Sequence, residues 1–593
     1  MEPTALLRAG ATTRRSNAPS PTPSQQNIPR RSIRRSGAFS GFLATITGVF
    51  CATAALAESD HSPKLKFQLV EATIPQMREA MRSDVVTSEQ LVQMYFNRVN
   101  AYDFNGPALN SYLYVNTNAL DQAALLDALA EGRASGEQLN RWGCTEKEFK
   151  QMRRLTDTDA PLYGIPVLIK DNIATGDMPT TAGSVALAGC IPAQDAFITK
   201  KLRAAGAVIL GKATMTEFAN YLTTNMPAGY SSFGGYGFNP YDPRPLPGGD
   251  GRPVLSPSGS SSGPGIAASA NLAAACIGSE TSGSILSPAN ANGVVGIKPT
   301  VGLVSRTGIV PITADQDTAG PLCRTVTDAA IMLSVIAGYD PEDPATKACL
   351  TRGNWHPDYT EFLKKGALNG ARIAVASNVY ATTIVVSNAV PILRQLGAYV
   401  EIIPALSNVT SPSILSYGFK RDLSAYLAKL PPSWPVRTLA DIIAVNNATP
   451  GALKYGQFFA LQANALDISP GSADTLTYQS NYLAGITQSR GILDAVYNGP
   501  DGIKGTSDDF DAVLNPGAGT PARAGYPSVS VPGGMLPPAG AVTNSFPNNV
   551  VFSGPAFSEA KLIALAYAFE QATKLRTPPP LVPPLPTDYV YRH

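Results

Sequence analysis

The chain has 593 residues, 44% hydrophobic and 15% charged, an ordinary globular composition with enough apolar material for one large core or two smaller ones. Its formal charge is +2, but residues 1–57 carry seven Arg and one Glu, leaving 39 basic against 43 acidic residues in the remainder. The body of the protein therefore lacks the overall basic surplus of a nucleic-acid binder.

Residues 1–29 are rich in Ser, Pro and Arg and are expected to be disordered. RRSIRRSG (30–37) forms a positive segment ahead of AFSGFLATITGVFCATAALA (38–57), an apolar run of small residues ending in Ala55-Leu56-Ala57. That order reads as a cleaved export signal, with general secretory and twin-arginine routes both open. The run holds Ser, Thr and Gly and makes a weak membrane span. No second long apolar stretch follows, so the mature chain is expected to be exported, periplasmic or extracellular, without a membrane span.

Past the signal, Thr87-Ser88-Glu89-Gln90 marks a helix start with a capping box, and Leu91, Val92, Tyr95, Phe96 and Val99 make one apolar stripe. A second helix is expected over about 117–132, then a charged surface insertion at 135–160. GIPVLIKDN (164–172), a short apolar run ending in Lys-Asp-Asn, reads as a buried strand. Residues 196–213 read as helix then strand (207–210), 223–258 as a long Gly/Pro/Tyr-rich loop, and 263–278 as a small-residue helix running into a strand. Residues 370–377 read as a strand, 385–404 as helix then strand, 405–500 as irregular and 558–573 as a helix. The alternation argues for an α/β fold, a central mixed β-sheet covered on both faces by helices. Neither tandem repeat nor interdomain linker is evident. The expected organisation is a disordered start plus signal (1–57), one large domain (65–580) and a Pro-rich tail (581–593).

Cys51 lies in the signal, leaving Cys144, Cys190, Cys276, Cys323 and Cys349 without C-x-x-C spacing. That excludes a zinc ribbon, and three scattered histidines (His61, His356, His593) exclude H-E-x-x-H. No catalytic metal or cofactor is expected. An exported protein can carry one or two disulfides, but buried free thiols are the favoured reading. NGPDGIKGTSDDFD (498–511) spaces Asp501, Asp508, Asp509 and Asp511 around glycines. Such a loop can hold structural calcium, although it lacks the EF-hand pattern and a solvated turn is the simpler account.

SPSGSSSGPG (256–265) satisfies G-x-S-x-G at Ser261. The nucleophile elbow needs a strand before it and a catalytic histidine after it. The preceding segment is short and holds Pro257, and only His356 and His593 follow. A phosphate loop fails for want of a Gly-Lys-Ser/Thr ending. Alone, the stretch reads as a Gly/Ser loop capping the helix from 263. Ser558-x-x-Lys561 fits S-x-x-K but lacks companion motifs and reads as chance.

The stretch is not alone. GIPVLIKDNI (164–173), Ser258-Gly259-Ser260-Ser261-Ser262-Gly263, Ser282-Gly283-Ser284, GIKPTVGLVSRTGIVPITADQDTAGP (296–321) and AGYPSVSVPGG (524–534) follow in order. Together they resemble the blocks of the amidase signature family over about 70–575, and within it most resemble secreted peptide amidases. The resemblance implies hydrolysis of carboxylic amides by a Ser–cis-Ser–Lys triad. Ser284 would be the nucleophile, Ser260 the bridge and Lys170 the base, with Ser261 a supporting hydrogen-bonder. Backbone N–H groups of Thr281, Ser282, Gly283 and Ser284 would receive the oxyanion, and the Gly259–Ser260 peptide would be cis. A free lysine titrates near 10.4 and must fall to about 7–8 to serve as base, which desolvation can supply. The apolar run Ile165 to Ile169 makes that burial plausible.

Three departures bear on substrate choice. Ser258 and Ser282 stand for family glycines, and Leu286 stands where many members carry Arg. Pocket residues are expected from 176–190, 223–258 and 405–500. The expected partner is a small-molecule or peptide amide, not a nucleic acid. Three other readings remain. A family member that transamidates misacylated tRNA is disfavoured by export. A histidine-dependent esterase would need His356. A non-catalytic binding protein on the same scaffold is opposed by the intact Lys170, Ser260 and Ser284.

Overall fold

The computed structural model describes residues 64–132 and 160–592. The expected signal, Cys51, His61, Cys144, His593 and nearly all of the 135–160 insertion lie outside these residues. Residues Leu65–Arg592 make one compact unit. Its centre is an eleven-stranded sheet. In chain order the strands are β1 (Tyr112–Val115), β2 (Pro166–Lys170), β3 (Val208–Ala213), β4 (Ala275–Glu280), β5 (Val295–Lys298), β6 (Thr318–Cys323), β7 (Arg372–Ala376), β8 (Tyr399–Ile403), β9 (Ala512–Leu514), β10 (Ser528–Leu536) and β11 (Phe546–Ser553). Their spatial order is 8-7-9-11-10-5-6-4-2-3-1.

The sheet is mixed. β2 runs parallel to both β3 and β4, and β7 runs parallel to β8 and β9. Between these parallel groups the ladder is antiparallel, from β4 through β6, β5, β10 and β11 to β9. β2, β3, β4 and β6 bury every residue. Successive strand side chains point to opposite faces, so both faces of this part are covered. β2 ends at Lys170 and β4 at Glu280. Because β2 and β4 are parallel neighbours, these two polar last residues collect at one carboxyl edge of the sheet, where open α/β sheets place their sites.

The capping box at Thr87 and Gln90 starts helix Ser88–Arg98. Helix Ser262–Ser269 begins beside that edge and buries every residue. A Cβ on its Gly263 would lie 2.5 Å from the Thr214 carbonyl oxygen, so only glycine permits this approach.

Two expectations change. Residues 405–500 are not irregular; they hold helices Leu415–Ala428, Leu439–Ala448, Phe458–Ala465 and Ala473–Tyr497. The first three are separated by segments holding Pro431, Pro432, Pro450 and Gly451, which interrupt the 3.6-residue pattern along the chain. Their Phe419, Leu423 and Ile442 join Phe218, Tyr221 and Tyr230 in a second apolar core. The Pro-rich end, expected as a tail beyond residue 580, carries a strand: Tyr589–Arg592 pairs with Lys64–Gln68. Buried Asp588 there meets buried Arg98 at 2.5 Å, and Arg98 also donates to the Ala270 and Asn271 carbonyls.

Cys190, Cys276, Cys323 and Cys349 are buried free thiols. Asp501, Asp508, Asp509 and Asp511 accept backbone N–H groups of Ile503, Asp501, Gly505 and Arg372. Among the described residues, no cluster of three or more His, Cys, Asp or Glu could hold a metal ion. No helix among them is long and apolar enough to cross a membrane.

Candidate active site

Apolar Val167, Leu168 and Ile169 carry β2 through the core and leave Lys170 fully buried at its end. Its Nζ lies 2.8 Å from Ser260 Oγ, 2.9 Å from Ser279 Oγ and 3.2 Å from the Ser279 carbonyl oxygen. All three partners are neutral oxygens. Burial lowers the lysine to about 7, while the charges of Asp317 and Glu280 work against that fall.

Ser260 is fully buried and follows a cis Gly259–Ser260 peptide, as the resemblance implied. A Cβ on Gly259 would sit 2.3 Å from Thr216 Oγ1, and the Thr216 N–H donates to the Ser260 carbonyl at 3.1 Å. Ser261 ties the two serine segments together. Its hydroxyl donates to the Ser279 carbonyl and accepts the Ser279 N–H, at 3.1 and 3.2 Å. Its own N–H donates to the Ser284 carbonyl at 3.2 Å. Ser284 is 7% exposed. No hydrogen bond links its hydroxyl to Ser260; catalytic hydrogen bonds often close only when substrate is bound.

Among the described residues, the N–H groups of Thr281, Ser282 and Ser284 have no protein acceptor. Gly283, expected as a fourth oxyanion donor, differs: its N–H donates to Glu280 Oε1 at 2.7 Å. Glu280 Oε2 also accepts the N–H groups of Ile285 and Leu286, at 2.7 and 3.0 Å. A carboxylate collecting three N–H groups fixes the turn and leaves the Gly283 N–H already engaged. Of the two serines standing for glycine, Ser282 is exposed and outside the left-handed region. Ser258 has φ 59°, a conformation glycine adopts without strain and serine does not. Leu286 is buried.

Several site residues escaped the sequence reading. Ser279 reaches Lys170 through the parallel pairing of β2 with β4. Asn172 Nδ2 donates to Ser279 Oγ at 2.9 Å. Asp317 accepts the Thr281 hydroxyl, and burial pushes its carboxyl up to about 7. Neighbouring Gln316 contacts the Thr281 carbonyl. A cavity of about 480 Å³ lies beside this cluster, lined by Asn172, Ser279, Thr281 and Asp317 and, opposite in sequence, by Tyr426 and Lys429. Of the three segments expected to shape the pocket, only 405–500 lines this cavity, and Ser260 and Ser284 are not in its walls. His356 instead packs edge-on against Phe362 at 4.7 Å. Lys561 pairs with Asp511 at 3.0 Å.

The family model described as Amidase matches residues 144–429. A probable amidase of Arabidopsis thaliana is 38% identical over 539 residues, covering 87% of this chain and 93% of that relative. A glutamyl-tRNA(Gln) amidotransferase subunit from Thermoanaerobacter pseudethanolicus is 30% identical, covering 86% and 98%. Among solved structures, the native peptide amidase of Stenotrophomonas maltophilia is similar with a TM-score of 0.71 and 36% identity, covering 87% of this chain and 99% of that one.

Proposed function

This chain belongs to the amidase signature family, and from that premise we propose that it hydrolyses carboxylic amides through Lys170, Ser260 and Ser284, with peptide C-terminal amides as the leading substrate class. The observation that carries the reading is a fully buried lysine, surrounded by neutral oxygens, with Ser260 Oγ 2.8 Å away. A neutral amine has two N–H groups and one lone pair. The Ser279 carbonyl can only accept, and Ser279 Oγ already accepts from Asn172. Giving both N–H groups to Ser279 leaves the lone pair for the Ser260 hydroxyl, which can donate and accept at once.

In the proposed reaction Lys170 takes the Ser260 proton as Ser260 takes the Ser284 proton. Ser284 Oγ attacks the amide carbon, and the N–H groups of Thr281, Ser282 and Ser284 receive the oxyanion. The C–N bond breaks as the proton returns through Ser260 to the leaving nitrogen. Water then attacks the acyl-enzyme, its proton taken by the same relay, to release the acid.

Likeness to a peptide amidase supports the substrate class. The test is ammonia release by purified protein from peptide C-terminal amides, aryl amides and free glutamine, beside Ser284→Ala and Lys170→Ala. Release from peptide amides that both variants abolish is expected. Turnover of glutamine alone would favour an amidotransferase component, and full activity in either variant would sink the mechanism. Export belongs to the same reading: the mature protein should begin at Glu58, which N-terminal sequencing of the exported fraction checks.

A further inference from the structure

The ladder between β4 and β6 ends with Glu280 opposite Thr318. One step further, the register sets Thr281 across from Asp317. There the Thr281 hydroxyl donates to Asp317 Oδ1 at 2.5 Å. Asp317 Oδ2 accepts the N–H groups of Ile312 and Thr313 at 2.9 and 3.0 Å, so the carboxyl is itself held. Gln316 Nε2 donates to the Thr281 carbonyl at 3.3 Å, and both Gln316 and Asp317 are buried.

The Thr281 carbonyl and the Ser282 N–H are opposite ends of one planar peptide unit. A donor that fixes the carbonyl direction therefore fixes the N–H direction. One residue on, Glu280 holds the Gly283 N–H and with it the next peptide plane. Between these two ties lies the Ser282 N–H, which has no protein acceptor among the described residues.

We propose that Gln316, backed by Asp317, is a positioning residue that aims the Ser282 N–H at the oxyanion formed during amide hydrolysis. The inference rests on Ser284 being the nucleophile. Gln316 touches no reacting atom; it acts by holding a donor that would otherwise have to reorient as charge develops. Removing one oxyanion donor outright lowers kcat by about 10²–10³. Tilting one is the smaller change, and about 10- to 100-fold is expected.

The test compares Gln316→Met, which removes the amide donor, with Gln316→Glu, which keeps the length and replaces the amide NH2 with a carboxyl oxygen. On a peptide amide turned over by the wild type, kcat should fall about 10- to 100-fold with KM within about twofold. The affinity of an aldehyde analogue of that substrate, which adds the serine oxygen to its carbonyl and places an oxyanion or hydroxyl in the same site, should fall by the same factor. Unchanged kcat in both variants overturns the proposal. So does a loss in which analogue affinity follows KM rather than kcat, the signature of a merely structural contact. Ser284→Ala run alongside separates the two levels: its full activity refutes the parent reading, whereas inactive Ser284→Ala beside unimpaired Gln316 variants refutes only the positioning role.

Discussion

Lys170 and Lys212 lie on neighbouring parallel strands, with Ile169 opposite Lys212 and Lys170 opposite Ala213. Both are fully buried, and burial lowers both, Lys170 to about 7 and Lys212 to about 8. Their company differs. Lys212 Nζ lies 2.6 Å from Thr180 Oγ1, 3.1 Å from the Pro179 carbonyl and 3.7 Å from Asp171 Oδ1. Lys170 meets two serine hydroxyls and a carbonyl. Burial alone weakens an amine as a cation. The partners then differ in what they allow: a carboxylate retains Lys212 as the buried charge of a pair, whereas the hydroxyls beside Lys170 are neighbours with which, in the proposed reaction, it exchanges a proton.

The largest expected effect breaks the pair apart by activity. Lys170→Ala and Ser284→Ala should each lower kcat by about 10⁴ or more, while Lys212→Met, if folded, stays within about tenfold. A kinetic comparison of the three, with circular dichroism to establish folding, checks this. Stability should reverse the ranking. Lys212→Met strands a buried carboxylate at Asp171 and should lose about 3 kcal/mol in urea denaturation. Lys170→Met strands none and should remain within about 1 kcal/mol of the wild type. Equal losses would mean the two sites are not distinct in kind.

The pH profile sharpens the contrast. In the proposed mechanism Lys170 works only after losing its proton, and its lowered value of about 7 means that kcat/KM should rise as pH climbs through that region and fall away below it. Asp317, raised to about 7 by burial, titrates in the same window, so the limb belongs to a coupled pair. A limb near the ordinary lysine value would show that Lys170 behaves as an exposed amine. The smallest effect is at Ser279. Ser279→Ala removes one acceptor of Lys170, worth about 1 kcal/mol, and should lower kcat about fivefold in a steady-state assay.

Much of the sheet was legible. The runs at 164–172, 370–377 and 385–404 fold as expected because their apolar pattern and flanking glycines are local signals. Ser279, Gln316 and Asp317 lie within or beside the quoted blocks, but their contacts were not legible, since those depend on which strands become neighbours. Ser279 matters because β4 lies beside β2, and Gln316 and Asp317 because β6 lies on the other side of β4. Of the helices of 405–500, the first three escaped because prolines lie between them, and the fourth because it buries few apolar residues and so shows no apolar stripe.

The order of residues was enough for an α/β chain of one large unit and, through resemblance, for the candidates Lys170, Ser260 and Ser284. Their residue types and ordered blocks survive in one dimension. The packed fold was needed to find Lys170 wholly buried among neutral oxygens and Glu280 claiming the Gly283 N–H. It was needed again to find Thr281 held by Gln316 and Asp317, far along the chain. Those facts depend on which strands lie side by side and which N–H groups find an acceptor, and long-range pairing leaves no local mark on the residues it joins.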